Sequence, residues 1–157
     1  MNLSYIKKQL QFWADKKDVL HVKKLLTKED QILVKRKSEE LIQNIFTFDK
    51  PWDMERCQIP YKLETLDWNI QLNDDEEWCF MLNRMDYLNY LVLSDHIEYA
   101  KTLILNWIEA HPTIQPEPST RTLDTGIRLM NFFEALPYLY TNNLLSDEEI
   151  LTFPAGN

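Results

Sequence analysis

Glycine is nearly absent: the 157-residue sequence has two, Gly126 and Gly156. Phosphate-cradling loops, dinucleotide-binding turns and tight β-hairpins rely on glycine for positive φ or close backbone approach. Nucleotide binding through those motifs is therefore excluded. So is a β-sandwich, whose turn signals recur about every 8–12 residues. Cysteine is scarce as well. Cys57 and Cys79 have neither CxxC spacing nor a histidine close by, and read as two partly buried thiols rather than a metal site or disulfide. The three histidines, His21, His96 and His111, are scattered, with no ligand at i+3 or i+4. Zinc is thus not expected, nor is any cofactor.

No apolar run approaches the roughly 18 residues that span a bilayer, so no membrane partner is expected. The first twenty residues, MNLSYIKKQLQFWADKKDVL, lack the unbroken apolar stretch and small-residue cleavage site of a secretory leader. The compartment stays open: periplasmic or secreted if a leader has been removed, cytoplasmic otherwise.

What is present is enough for one folded domain, or the first part of a larger one, with 45% apolar residues and 12% aromatics. The charge is uneven. Residues 1–50 hold eleven Lys/Arg and seven acids, a net of +4, whereas residues 51–157 hold six against eighteen, a net of −12. Sequence-independent nucleic-acid binding needs clustered positive charge, and the body of this chain has the opposite sign.

The apolar spacing predicts an all-α fold. Leu3, Ile6, Leu10 and Trp13 mark an amphipathic helix over 3–19, and Thr27-Lys-Glu-Asp30 resembles a capping box. That box opens a second helix with Val34, Leu41, Ile42 and Ile45 on one face and lysines on the solvated side. Residues 1–45 thus form a basic amphipathic unit. From Phe46 to Asn73 the periodicity fails, and Phe46, Phe48, Trp52, Tyr61 and Trp68 predict an extended, well-anchored segment. One helix is expected over 75–93 (Trp78, Met81, Leu82, Met85, Leu88, Val92). A second, over 96–110, follows the N-cap pair Ser94-Asp95 and carries Ile97, Ala100, Leu103, Ile104, Trp107 and Ile108. The short joint predicts an antiparallel hairpin. A third helix over 120–140 carries Leu123, Ile127, Met130 and Phe133 as its core stripe, and a last one starts at the capping box of Ser146.

Some polar residues fall on apolar arcs. Arg84 lies between Leu88 and Leu91, Asn89 near the middle of the same arc, and Glu134 near Leu123 and Ile127. A buried guanidinium needs a partner, and Glu134, Asp67 and Glu55 are the carboxylates expected for Arg84. Arg121, Asp124, Arg128 and Asn131 share one side of the third helix at spacings of 3, 4 and 3. They form either a local ion-pair ladder or a polar rim facing a cleft, where arginines meet carboxylates or sulfates. Gly126 sits on the apolar arc, where a missing side chain admits a neighbouring helix or strand at some cost in helix propensity. The acidic runs Asp74–Glu77 and Asp147–Glu149 stand at helix starts and complement the helix dipole.

Five segments, in order and spacing, resemble the N-terminal region of the heparinase II/III family of polysaccharide lyases: NIFTFDKPWDMERC, LDWN at 66–69, EEWCFMLNRMDYLNYL, EYAKTLILNWIEAHP and RTLDTGIRLMNFF. Family members show DW before an EW-x-x-x-LNR helix, then a YA-x(6)-WI helix ending in Asn/His-Pro and a WR-x-L-[DE]-x-G-IR-x-x-N helix. Here Thr120 stands where that last tryptophan would be. The resemblance spans roughly residues 40–140. It implies that residues 46–157 form helical hairpins of an incomplete α/α toroid, truncated before the catalytic segment. It further implies β-elimination on a uronate-containing acidic polysaccharide, the C5 proton being abstracted and the 4-linked oxygen expelled. The family's Asn, Tyr and His lie further along, so no catalytic residue is assigned, and Tyr87, Tyr90 and His96 are not promoted to that role. The matched positions left for sugar contact are Arg84, Arg128 and Asn131. The implied partner is an acidic polysaccharide through the longer protein, with self-association through an exposed apolar face. The alternative is a non-catalytic all-α module that binds protein or glycan.

Overall fold

The computed structural model describes residues 2–72 and 74–155, so Gly156 and the segment boundary at Asn73 lie outside it. The fold is helical. Helix α1 (Leu3–Lys17) starts where the Asn2 side chain accepts from the Ser4 amide at 2.8 Å, and stops earlier than its apolar spacing predicts. The reason is Asp18, which turns left-handed (φ 45°) and caps the short α2 (Val19–Lys24). Thr27 and Asp30 form the predicted reciprocal box at 3.0 Å and open α3 (Lys28–Leu41). Val34 and Leu41 are buried on α3, while Ile42 points outward. Lys37, on the side expected to be solvated, is instead buried and bonded to Asp49 at 2.8 Å.

Between residues 42 and 76 the chain is mostly irregular. Strand β1 (Ile45–Phe46) pairs antiparallel with β2 (Tyr61–Lys62). Phe46, Phe48 and Trp68 are buried, whereas Trp52 and Tyr61 are exposed. Phe46 and Phe48 meet Trp78 and Tyr87 mostly edge-on, at 5.1 Å for Phe46–Tyr87 and 5.3 Å for Phe48–Trp78.

The single helix expected over 75–93 is two: α4 (Glu77–Arg84) and α5 (Leu88–Val92). Met85 breaks it in the left-handed conformation, φ 55°, a position that costs about 1–2 kcal/mol in a non-glycine residue. Full burial of its side chain offsets the strain, and the Tyr87 hydroxyl donates to the Leu82 carbonyl at 2.8 Å across the break. Asn89, placed on the apolar arc by the one-helix reading, is consequently exposed. Helix α6 (Ile97–Ala110) follows Ser94, whose hydroxyl accepts from the His96 amide at 3.0 Å. It buries Ile97, Ala100, Leu103, Ile104 and Trp107.

Helix α7 (Thr122–Thr141) is the centre of the packing and touches α1, α4, α5 and α6. Its orientation reverses the expected one. Asp124, Arg128, Phe132, Ala135 and Leu139 face inward, while Leu123, Met130 and Phe133 are 59%, 68% and 62% exposed. Gly126 has nothing within 4 Å of where a side chain would begin, so none of the described residues uses the space. Helix α8 (Asp147–Ala155) begins with the Ser146–Glu149 box, at 3.0 and 3.1 Å, and lies against α1.

Candidate functional site

The polar row of α7 points into α4 and the 111–120 loop, and its residues are locked there. Arg128 is 2% exposed. Its guanidinium donates to the carbonyls of Asn83 (2.8 Å) and Ser119 (3.2 Å) and to the Thr125 hydroxyl (3.0 Å). It also lies 3.9 Å from the centre of the Trp107 ring. Burial pulls its pKa down to about 10, with Tyr87 and Asp124 pulling back. A guanidinium so placed ties three elements together. It faces the interior rather than a cleft.

Asp124 is fully buried and gathers two arginines. Arg84 Nε donates to its Oδ1 at 2.7 Å; Arg121 donates through Nε to Oδ2 at 2.6 Å and through a terminal nitrogen to Oδ1 at 2.9 Å. The partner of Arg84 is therefore Asp124, not Glu134, Asp67 or Glu55. Glu134 lies on the outer face and pairs with Lys17 at 2.5 Å. Arg121 is also 3.6 Å from the centre of the Phe80 ring. Asn131, the third matched position, donates to the Arg84 carbonyl at 2.8 Å and holds the end of α4. Arg84 and Asn131 are thus neighbours, Arg84 keeps 22% of its side chain in solvent, and Arg128 lies deeper in the same layer.

Two further participants fall within the LNR and His-Pro motifs, but the sequence assigns neither a role. Asn83, fully buried, donates to the Trp68 and Cys79 carbonyls at 2.7 and 2.9 Å and accepts from Trp107 Nε1 at 2.9 Å. His111 stacks on Trp107, with centroids 3.9 Å apart and planes 14° from parallel. Its Nδ1 is 2.7 Å from the Trp107 carbonyl, an acceptor only, so Nδ1 carries the proton and Nε2 accepts from the Ser119 hydroxyl at 2.8 Å. A serine on a histidine nitrogen is the pairing of a nucleophile with its base. Ser119 is wholly buried, however, and the pair fastens the 111–120 loop to α6. Burial lowers the His111 pKa and keeps the ring neutral.

A concavity of about 740 Å³ lies elsewhere, between α1, α7 and α8. Ile6, Leu10, Trp13, Phe133, Leu136 and Phe153 line most of it, and the Lys17–Glu134 pair sits at its edge. Trp13, expected in the core, is half exposed here because its side of α1 faces the opening. Pro137 borders the same space and has no amide to donate to the Phe133 carbonyl, so α7 lacks one helical hydrogen bond beside the groove. Among the described residues no His, Cys, Asp and Glu side chains assemble a metal ligand set, and no helix is long and apolar enough to cross a membrane. No known protein family, curated protein or solved structure gives a significant match to this chain.

Proposed function

We propose that the chain is the N-terminal, groove-building part of a polysaccharide lyase that cleaves uronate-containing acidic polysaccharide by β-elimination, inactive by itself because the reactive side chains belong to further polypeptide. In this reading α4–α7 are hairpins of an incomplete α/α toroid. One observation carries it: the apolar row Leu123, Met130 and Phe133 faces solvent along α7 and runs into the groove beside Trp13. Rows of that size on a stable domain are normally covered. A toroid wall exposes such a row where the next hairpin packs, and Gly126 gives that hairpin room for close approach.

The alternative, a non-catalytic all-α module binding protein or glycan, draws on a different fact. Arg128, Asn131 and the Nε of Arg84 are bonded to carbonyls, a hydroxyl and Asp124 within the chain, which makes them braces first. The discriminating experiment follows ultraviolet absorbance of unsaturated uronate products with a panel of acidic polysaccharides, alongside sedimentation equilibrium. The lyase-part reading expects no product from this chain and self-association through the α7 row. Product from this chain alone overturns it; a strictly monomeric chain moves the assignment to the module.

A further inference from the structure

Trp52 is the most exposed aromatic side chain among the described residues, 74% open to solvent, yet its backbone is firmly held. The Lys50–Asp53 turn is closed twice: the Asp53 amide donates to the Lys50 carbonyl and the Lys50 amide to Asp53 Oδ2, both at 2.9 Å. Gln58 ties the Asp53 carbonyl from outside at 3.0 Å, and Pro51 restricts φ within the turn. The indole is therefore presented on a stiff mount, and binding through it orders little backbone.

One ion pair is fixed beside that ring: Lys50 Nζ sits over it, 5.5 Å from its centre, and bonds Asp86 Oδ2 at 2.8 Å. Asp49 bonds Lys37 at 2.8 Å. An exposed indole with an ammonium over it and a carboxylate bonded to that ammonium matches one kind of ligand well. A pyranose ring has a flat patch of C–H bonds on one side and hydroxyls around its rim. The indole face takes the first by apolar contact, and charged donors and acceptors take the second through charge-assisted hydrogen bonds. An apolar peptide has no use for the Lys50–Asp86 pair. A nucleic acid needs a cation excess, whereas Lys37 and Lys50 here stand beside Asp49, Asp53 and Asp86.

We infer that Trp52, Lys50 and Asp86 form a glycan subsite in which one pyranose ring stacks on the Trp52 indole. The site is separate from the Arg84–Asp124–Arg128 layer and does not depend on the chain being part of a lyase. A chain without any lyase relationship still binds sugar here.

The test follows the backbone amides of residues 50–53 and 86 by two-dimensional NMR, with the Trp52 indole N–H as a further probe in the parent, while the whole chain is titrated with tri-galacturonate in one arm and cellotriose in the other. A single subsite is expected to saturate in the millimolar range, about −4 kcal/mol. Trp52→Ala is expected to weaken binding at least tenfold with the melting temperature unchanged, and Trp52→Tyr to restore part of it. Lys50→Gln should weaken the tri-galacturonate arm more than the cellotriose arm. Saturation in either arm with that Trp52 dependence supports the subsite and tells acidic from neutral glycan. Binding by Trp52→Ala equal to the parent, or no indole shift in either arm up to roughly 10 mM, overturns it.

Discussion

The guanidinium of Arg128 lies 3.9 Å from the centre of the Trp107 ring, and among the described residues no carboxylate hydrogen-bonds to it. An arginine held by two carbonyls, a hydroxyl and a π face is a structural post. Replacing it leaves the Asn83 and Ser119 carbonyls without their donor inside the protein. Arg128→Ala should cost about 2–4 kcal/mol in urea unfolding, and Arg128→Lys should recover little because a single ammonium cannot reproduce the fork. A variant that keeps its stability but loses polysaccharide binding would restore Arg128 to a sugar-contacting role.

His111 sets the acid limb of stability. Burial lowers its folded pKa below the unfolded value of 6.5, so the unfolded chain takes up a proton more readily. The stabilisation from neutral His111 is complete above about pH 6.5 and is lost as pH falls through that value toward the lower folded one. Asp75 and Glu149, also lowered, by hydrogen bonds, act below their ordinary 3.8 and 4.5. Unfolding free energy measured from about pH 7.5 to 5 should therefore decline, and His111→Gln should flatten the decline. An unchanged slope in that variant would assign the effect to another group.

Gly126→Ala is expected to stabilise this chain by up to about 1 kcal/mol, because open space surrounds the position and the helix gains propensity. A rise in melting temperature confirms it. A fall would mean that something presses on Gly126 in solution, such as a second copy.

On the outer row, Met130→Lys and Leu123→Lys should change the unfolding free energy by less than about 0.5 kcal/mol, since neither side chain is packed. Sedimentation velocity should show less self-association for both. Trp78→Phe makes a complementary case: the Trp78 Nε1 proton is buried without an acceptor among the described residues. Removing it should nearly compensate for the smaller ring, keeping the loss within about 1 kcal/mol.

These comparisons show which parts of the fold could be read in advance. The Thr27 and Ser146 boxes and the α6 stripe were legible because their signals are local: caps within four residues, and an apolar face with all its partners in the chain. The break at Met85 was not, since no glycine or proline marks it and only tertiary burial of the side chain sustains it. Helix α7 misled for a different reason. Two rows compete on it, and hydrophobicity favours burying Leu123, Met130 and Phe133. The winning row carries Asp124 and Arg128 beside Phe132, Ala135 and Leu139, and Asn83, Ser119, Arg84 and Trp107 supply its two charges with partners outside the helix. The candidate layer was half visible: Arg84, Arg128 and Asn131 do belong together, but Asp124 as the joint and Asn83 as the anchor emerge only from the packing.

A helix whose first half keeps Asp124 and Arg128 inside and Leu123 and Met130 outside divides labour between its two sides. The inward side answers to the architecture of this chain, so changes there are paid in folding. The outward side answers only to whatever comes alongside, and it can drift to suit a new neighbour while the architecture beneath stays as it is.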